Sequence, residues 1–369
     1  MLLALPRYVF QHAGYLTVYK DLLTKLPDYT SFILVVHADS RSLLDGILVS
    51  LSLVGRVTIV EVPGRIKFSA WVGDICAVVR EVASVCLVEP LKLIRVEDVC
   101  LCDFVATYAG LERRRANLYF EGGNLLVGED FWLLGADHAD HSIRLGLIQP
   151  ATGESTLDAI RRSFEILDSK RTLHLVGTKT VVPHQTERSI IKNGAYWTEQ
   201  FHTGNLRGST QPIYHLDMFI TLAGNDARGN PVVLVGDPRL ASQILNEPIS
   251  SHALTAEFDE IARSLVKQGF HVIRNPLPQI YRDDPLRRER KWYFASSNNA
   301  LLEITAQGKR VWLPTYGHGL WSSLASIDAA NQKLWESLGF QVVPLANCHS
   351  LAFNLGGLHC ITKIVARGR

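Results

Sequence analysis

The sequence predicts an α/β fold built from repeated units, each with the order strand, turn, strand, helix, strand. Three stretches carry this order: residues 120–176, 214–273 and 299–343. In each, apolar and β-branched runs are separated by a short polar turn, and a segment with helical spacing precedes the last run. Repeats of this length are typical of radial architectures in which the first strands converge near an axis. Residues far apart in the sequence are then expected to meet in one central cleft.

The individual elements follow from the same patterns. Residues 32–37 (FILVVH) and 57–62 (VTIVEV) are predicted strands, and residues 41–53 have the leucine spacing of a helix. The repeats add predicted strands at residues 125–127, 131–134, 172–176, 214–220, 232–235, 270–273, 299–304, 310–313 and 340–343, and predicted helices near 155–167, 254–268 and 325–338. A final strand carrying Cys360 is expected to pair with N-terminal sequence.

Composition narrows the class of protein. Of 369 residues, 47% are hydrophobic and 20% are charged, as in a globular protein with a sizeable core. The net charge of +2 gives no electrostatic case for binding nucleic acid or an anionic membrane. No run approaches the roughly 18 apolar residues of a membrane span, and no signal peptide is expected. Six cysteines without zinc-type spacing indicate reduced thiols and a cytoplasmic location.

Polar side chains stand at the start of the first strand in each repeat, and two more candidates hold comparable positions elsewhere. These residues are Glu121, His215, Asn298 or Asn299, Asp74 and Cys360. Asp74 interrupts an apolar run. Because a buried carboxylate is costly unless it is paired, Asp74 lies either in a loop at a strand end or in a functional site.

Cys360 is the candidate nucleophile. It follows two glycines, Gly356 and Gly357, and stands in an apolar run with strand character. Glycine allows backbone or substrate to approach closely, which a reactive thiol requires and a packed one does not. The alternative is a small buried hydrophobic residue after a turn.

The remaining candidates suit chemistry on a guanidinium. His215 and Asp217 are two residues apart, so on a strand they share a face, where an imidazole can lower the pKa of a thiol. Asp74, Glu121 and Asp217 in one cleft would repel each other unless a cation lay between them, and a planar guanidinium fits. Cys360 could attack the guanidinium carbon while the histidine protonates the departing amine and then activates water.

Four short motifs resemble those of one family. Residues 356–362 (GGLHCIT) resemble GG-x-HCIT, 71–74 (WVGD) resemble W-x-(R/Q)-D, 120–124 (FEGGN) resemble EGG(N/D/S), and 215–217 (HLD) resemble H-x-D. The motifs occur in the order found in the guanidino-group-modifying, or pentein, superfamily. The chain is most similar to the agmatine deiminase and peptidyl-arginine deiminase-like branch of that superfamily.

The resemblance implies one pentein catalytic domain over residues 1–369, a five-bladed α/β propeller of ββαβ repeats with pseudo-five-fold symmetry. It implies a covalent amidino-cysteine intermediate and no metal or organic cofactor in catalysis. By resemblance, Cys360 is the nucleophile, His215 the general acid/base, and Asp74 and Asp217 bind the guanidinium. The other candidates for substrate binding are Glu121, Trp71, Asn124 and Asn299. Glu121 is structural in some branches, and Trp71 is equally expected as a core aromatic.

Three functions remain open at this stage. The first is a deiminase that hydrolyses agmatine, arginine or peptidyl-arginine to a ureido product and ammonia. The second is an amidinotransferase that passes the amidino group to an acceptor amine, and the third is a binding protein without catalysis. The expected partner is a small guanidino substrate or an arginine side chain, with no nucleic acid and no membrane. A homo-oligomer is compatible with the sequence.

The chain departs from the agmatine branch at two motifs. Residues 73–76 read GDIC where that branch reads R-D-T-G, and residues 214–218 read YHLDM where it reads G-H-x-D-N. Four further polar residues were weighed as ligands. Asp103 could rival Asp74, His138 and His141 are expected in a polar loop, and Arg207 is expected at the surface or against a substrate carboxylate.

Overall fold

A computed structural model describes residues 1–80, 84–93, 95–204 and 208–366. Arg207, considered above as a ligand for a substrate carboxylate, lies outside these ranges. Within them, no helix combines the length and the apolar character that crossing a membrane requires.

The secondary structure of the described residues alternates short strands with helices. The strands are β1 (Leu2–Leu5), β2 (Phe32–His37), β3 (Val57–Val62), β4 (Ala77–Arg80), β5 (Val85–Lys92), β6 (Glu112–Tyr119), β7 (Leu125–Val127), β8 (Phe131–Gly135), β9 (Thr172–Val176), β10 (Gln185–Lys192), β11 (Ala195–His202), β12 (Ile220–Asn225), β13 (Pro231–Asp237), β14 (His271–Pro276), β15 (Gln279–Asp284), β16 (Glu289–Phe294), β17 (Leu301–Thr305), β18 (Gly308–Thr315), β19 (Phe340–Asn347) and β20 (Thr362–Lys363). The helices are α1 (Arg7–Gln11), α2 (Ala13–Lys25), α3 (Arg41–Ser50), α4 (Leu101–Ala109), α5 (Ala136–Arg144), α6 (Thr156–Glu165), α7 (Pro238–Leu245), α8 (Thr255–Lys267), α9 (Ala325–Ser337) and α10 (His349–Phe353).

The fold is mixed α/β with several small sheets. Five of them have comparable strand orders: β4-β5-β6, β7-β8-β9, β12-β13-β14, β17-β18-β19 and β20-β1-β2-β3. In four, the first pair is antiparallel and the second is parallel. Parallel neighbours need a crossover connection, which helices provide here, for example α9 between β18 and β19. The predicted repeat is therefore confirmed, whereas its radial arrangement in five blades stays a prediction.

The chain forms two compact units. Unit 1 comprises Met1–Trp132, His138–Leu173 and Leu358–Arg369, and unit 2 comprises Leu133–Asp137 and His174–Gly357. The expectation of one catalytic domain over residues 1–369 stays a prediction.

The core of unit 1 fixes the loop that carries Asp74. Val72, Ile75 and Cys76, on either side of Asp74, are fully buried in a cluster that also contains Val35 of β2. Burial of these apolar side chains holds the loop in place although it has no strand pairing of its own.

The first and last strands of the chain meet in unit 1. β20 pairs antiparallel with β1, with Leu2 opposite Lys363 and Leu3 opposite Thr362. This confirms the predicted pairing of the C-terminal strand with N-terminal sequence.

Unit 2 has a corresponding core and one additional sheet. Trp335 of α9 packs with Leu234, Val311 and Phe340. The additional sheet has the order β10-β11-β16-β15 and consists of two antiparallel hairpins joined by the parallel pair β11 and β16. The sequence analysis did not predict these four strands.

Candidate active site

Five candidate residues each lie a few positions before the first strand of a different sheet. Asp74 precedes β4, Glu121 precedes β7, His215 precedes β12, Asn299 precedes β17 and Cys360 precedes β20. The predicted placement at strand starts is confirmed, while the catalytic roles stay predictions.

Cys360 lies in a turn, not on the strand that the sequence predicted. The turn covers residues 358–361, and β20 begins only at Thr362. The N–H of Thr362 donates to the carbonyl of His359 at 3.2 Å, and its hydroxyl donates to the carbonyl of Leu358 at 2.9 Å. In a strand, these carbonyls would accept hydrogen bonds from a neighbouring strand. The pairing with β1 therefore starts only after Cys360. The Cys360 side chain is buried.

Gly73 brings the loop of Asp74 against the backbone of Cys360. The N–H of Gly73 donates to the carbonyl of Cys360 at 2.8 Å. A Cβ atom on Gly73 would lie 2.6 Å from the carbonyl oxygen of His359 and 2.8 Å from that of Cys360. Because backbone atoms cannot move aside cheaply, only glycine fits.

Asp74 lies between this contact and the segment that follows Glu121. Its Oδ1 accepts a hydrogen bond from the N–H of Gly123 at 2.9 Å, and its carbonyl accepts one from Gly122 at 3.1 Å. Gly122–Asn124 forms a 3₁₀ turn, and the N–H of Asn124 closes it on the carbonyl of Glu121 at 2.9 Å. Unit 1 therefore brings Asp74, Glu121, Asn124 and Cys360 together, and all four are buried.

A guanidinium lies against these carboxylates, and it belongs to Arg95. One terminal nitrogen of Arg95 donates to Oδ2 of Asp74 at 2.7 Å and lies 3.9 Å from Oε1 of Glu121. Its Nε donates to Oδ2 of Asp98 at 3.0 Å. The cation expected among these carboxylates is thus supplied by the protein itself, whereas the sequence predicted only a substrate guanidinium there and Arg95 was missed. The signal available was an arginine three residues before an aspartate, in a stretch where apolar and charged residues are equally frequent, residues 91–98 (LKLIRVED).

The electrostatics of this cluster favour a charged guanidinium. Burial alone would lower the pKa of Arg95, but the negative charges of Asp74, Glu121 and Asp98 outweigh burial and raise it. Asp98 is fixed in turn, because its carboxylate accepts hydrogen bonds from the N–H of Ser69 at 2.7 Å and from the Ser69 hydroxyl at 2.6 Å. Burial is the main cause that raises the pKa of Asp98, and these hydrogen bonds oppose it.

Trp71 is half-buried and stands three residues before Asp74 in the sequence. Its ring meets that of Tyr15 edge to face, with 6.5 Å between centroids, and its backbone N–H donates to the Ser69 hydroxyl at 3.2 Å. The packing on Tyr15 fits the core-aromatic alternative, and a contact with substrate stays a prediction.

His138 is a neighbour of Glu121 that the sequence analysis placed in a polar loop. That prediction was wrong, because His138 and His141 lie on helix α5. The buried Nδ1 of His138 accepts the N–H of Glu121 at 3.3 Å, so a neutral His138 carries its proton on Nε2. Asp103, the rival to Asp74, is 63% exposed and pairs with Arg113 at 3.3 Å.

Unit 2 holds the remaining candidates. The predicted strand over residues 214–220 begins only at Ile220, because Leu216–Met218 forms a 3₁₀ turn. The prediction that His215 and Asp217 share a face of a strand is therefore wrong, although both side chains are buried. The rings of Tyr214 and His215 have centroids 4.9 Å apart.

Asn299 lies at the end of this 3₁₀ turn. Its Nδ2 donates to the sulfur of Met218 at 3.4 Å, and its N–H donates to the hydroxyl of Ser296 at 3.3 Å. Ser296 in turn donates to the carbonyl of Met218 at 2.6 Å. A Cβ atom on Gly357 would lie 2.5 Å from Oδ1 of Asn299. The second glycine of the pair before Cys360 is therefore required by the side chain of Asn299.

Two solved structures match this fold over almost the whole chain. One is C. jejuni agmatine deiminase, with 12% identity and a TM-score of 0.61, covering 98% of this chain and 90% of that one. The other is a structural genomics target provisionally assigned as an agmatine deiminase, with 13% identity and a TM-score of 0.62, covering 98% of this chain and 91% of that one. The chain has the agmatine deiminase fold.

The agmatine deiminase fold confirms, at the level of architecture, the resemblance drawn from the four motifs. No protein-family model matches the sequence. The comparison with curated proteins also gave no match. At 12–13% identity the likeness to solved structures concerns the fold, so the activity is argued from the residues of this chain.

Proposed function

We propose that this protein is a hydrolase that acts on the guanidino group of an arginine-like substrate and forms a ureido product and ammonia. Agmatine, arginine and peptidyl-arginine are the candidate substrates. The observation that carries the proposal is the guanidinium of Arg95 against the buried Asp74, whose neighbour Gly73 is bonded to the backbone of Cys360.

The position of Arg95 supports a cationic, planar ligand for this cluster. Asp74 and Glu121 are each at most 2% exposed, so their carboxylates are costly to ionise without a cationic partner. A guanidinium provides a permanent charge and planar donors that match carboxylate oxygens. In this proposal, a substrate guanidinium bound by Asp74 presents its electrophilic carbon to the thiol of Cys360, whose backbone is bonded to the adjacent Gly73.

The proposed reaction has two halves. The thiolate of Cys360 attacks the guanidinium carbon and forms a sulfur–carbon bond, and protonated His215 gives its proton to one amino nitrogen. Ammonia leaves as that carbon–nitrogen bond breaks, which produces an amidino-cysteine. His215 then takes a proton from water while the water oxygen attacks the same carbon. The sulfur–carbon bond breaks and releases the ureido product.

The proposal gives each other candidate a role. Asp74 and Asp217 bind the guanidinium and hold its carbon for attack. The five sheets with comparable strand orders are the blades of a pentein propeller in this proposal. The residues proposed to contact other parts of the substrate are Glu121, Asn124, Asn299 and Trp71.

The test is a product assay with a matched pair of cysteine variants. Ammonia and ureido product are measured with agmatine, free arginine and a peptide containing an internal arginine. Cys360→Ala is expected to abolish turnover, whereas Cys100→Ala, which removes an exposed thiol, leaves it unchanged.

The outcomes separate the candidate functions. Equal amounts of ammonia and ureido product from one substrate support the hydrolase. Product that forms only when an acceptor amine is added, without ammonia, supports amidino transfer. No turnover of any of the three substrates, with or without an acceptor amine, contradicts the proposal.

A further inference from the structure

We propose that Arg95 is a specificity-determining residue that competes with the substrate guanidinium for Asp74 and Glu121. The inference rests on the proposed function, since it concerns the same carboxylates. It adds that, in the unliganded protein, the chain's own side chain holds the position that a guanidino substrate needs.

The arginine is held from two sides. Asp98 accepts a hydrogen bond from Nε of Arg95 at 3.0 Å and is itself hydrogen-bonded to Ser69. The Nε side of the guanidinium is therefore held by Asp98 and not by Asp74. The outer nitrogen reaches Asp74 at 2.7 Å. Arg95 is 25% exposed, whereas the carboxylates it covers are almost fully buried. It therefore lies on the solvent side of the cluster.

Asp74 has little capacity left for a second cation. Its Oδ1 accepts the N–H of Gly123, and its Oδ2 accepts Arg95. A second guanidinium at the same oxygen would face the positive charge of the first, and like charges in contact are strongly unfavourable. A substrate guanidinium must therefore displace the outer nitrogen of Arg95, while the Nε bond to Asp98 can persist as a tether.

The consequence is selection against cationic ligands that bind weakly. A guanidino substrate gains its full interaction with Asp74 only after it has replaced Arg95, so its apparent affinity is reduced by that competition. Neutral ligands of the same shape do not compete for Asp74 and carry no such penalty. Neutralising Arg95 should therefore favour amidinium and guanidinium ligands selectively.

The test measures alkylation of Cys360 by two reagents of nearly equal shape. 2-Chloroacetamidine is cationic and 2-chloroacetamide is neutral. In both, the thiolate sulfur forms a bond to the methylene carbon as chloride leaves. Peptide mass spectrometry gives the rate at Cys360, and the ratio of the cationic to the neutral rate is the readout. This ratio does not depend on turnover.

Four variants are compared with the wild type. Arg95→Gln and Arg95→Met both remove the charge and differ in shape, so one of them can fail to fold without removing the test. Arg95→Lys keeps a charge. Arg162→Gln removes a half-exposed arginine that pairs with Glu154, and it controls for the loss of a positive charge as such.

Arg95→Gln and Arg95→Met are expected to raise the ratio of the cationic to the neutral alkylation rate about tenfold. Arg95→Lys and the control Arg162→Gln should keep the wild-type ratio. With any substrate that is turned over, the two neutral variants of Arg95 should lower KM about tenfold and leave kcat within about twofold. If Arg95 had only a structural role, its loss would instead change the alkylation rates of the cationic and the neutral reagent by the same factor. A ratio that stays constant or falls in the folded neutral variants overturns the inference. Failure of the proposed function is a different result, namely no turnover by the wild type.

Discussion

At the scale of single residues, a short chain of backbone contacts links the proposed nucleophile to a buried carboxylate. Gly73 donates to the carbonyl of Cys360, and Asp74 accepts from Gly123. Since Asp74 directly follows Gly73, any shift of the Cys360 turn also moves the carboxylate. The geometry of thiol and carboxylate is thus set by main-chain atoms, which have less freedom than side chains.

Gly73→Ala tests this link. Its Cβ would lie within 2.8 Å of two carbonyl oxygens and 3.0 Å from the Cα of Cys360, so the turn must shift. We expect a loss of about 1–3 kcal/mol in unfolding free energy and about 100-fold in kcat. Gly46→Ala is the control, because nothing lies within 4 Å of a Cβ there and Gly46 is on helix α3. That variant should keep its activity and be as stable as the wild type or more so. Equal activity of the two variants would contradict the role of Gly73.

In unit 1, the candidate carboxylates and the cysteine were predictable from the sequence, whereas the contact of Arg95 with Asp74 was not. The placement of Asp74, Glu121 and Cys360 before first strands followed from polar residues at the ends of apolar runs. Arg95 could not be found in this way, because its contact with Asp74 depends on how two loops of unit 1 pack. The rule that buried carboxylates need a cation was correct, and the rule alone cannot say whether the cation belongs to the protein or to the ligand.

At the scale of secondary-structure elements, an ion-pair network joins α7, α8 and β14 in unit 2. Asp259 of α8 accepts hydrogen bonds from Arg239 of α7 and, at 2.8 Å, from Arg274 of β14. Asp237 caps α7 by accepting the N–H of Arg239 at 2.9 Å, and it pairs with Arg274 at 3.1 Å. Because the network connects α7, α8, β14 and the end of β13 with two charges of each sign, it contributes more to stability than an isolated surface pair.

Asp259→Asn should reveal this network through its pH dependence. The hydrogen bond from Arg239, with a smaller one from Arg274, lowers the pKa of Asp259 from 3.8 to about 2. The ionised form therefore stabilises the fold at pH values above the ordinary pKa, and this contribution is lost as pH falls from about 4 towards 2. After allowance for solvent screening, the variant should lose about 1–2 kcal/mol at pH 7.

The measurement is urea unfolding of the wild type and Asp259→Asn from pH 7 to pH 3. The difference in unfolding free energy should shrink below about pH 4, because the Asp259 carboxylate of the unfolded chain then begins to bind a proton while that of the folded protein is still ionised. Asp45→Asn, at an exposed ion pair with Arg41, is the control and should change stability by less than about 0.5 kcal/mol. A difference that is constant with pH would exclude the charge of Asp259 as its cause.

Elements with a strong apolar pattern were predictable, and amphipathic or irregular ones were not. β2, β3 and β9 have the predicted bounds because all but one residue of each strand is apolar or β-branched. β10 and β11 were missed because β10 is largely polar and exposed, although Asn193 and Gly194, with φ of 51° and 74°, form a turn that favours a hairpin. The 3₁₀ turn at Leu216–Met218 is apolar apart from Asp217. The spacing of apolar residues alone does not distinguish so short a turn from a strand.

At the scale of the whole molecule, the same strand order serves five sheets while the polar residue before the first strand changes. Asp74, Glu121, His215, Asn299 and Cys360 occupy that position in turn. The residue type therefore varies at one position of a repeated unit, while the strand order is kept. The repeat was visible in the sequence because each copy preserves the order of its apolar runs. The two compact units were not, because three of their four boundaries fall inside β8, α5 and β9, where the sequence has no change of composition that would mark a linker.

The sheet β20-β1-β2-β3 in unit 1 contains both the first and the last strand of the described residues. Leu3 lies opposite Thr362 and is fully buried, and Thr362 closes the turn that holds Cys360. β20 has only two residues, so most of its stability must come from β1 and not from its own length. Loss of packing at Leu3 should therefore open the Cys360 turn at a lower free energy than global unfolding.

Leu3→Ala tests this coupling against Leu48→Ala, a matched change at a buried leucine of α3 in the same unit. Each variant should lose about 2–5 kcal/mol of unfolding free energy, because each leaves a cavity. Alkylation of Cys360 by neutral 2-chloroacetamide under native conditions should rise about tenfold in Leu3→Ala and less than about twofold in Leu48→Ala, since only the first weakens the strand next to the turn. If both variants react at the same rate, Cys360 becomes accessible only when unit 1 unfolds as a whole, and the pairing of β1 with β20 does not control the turn.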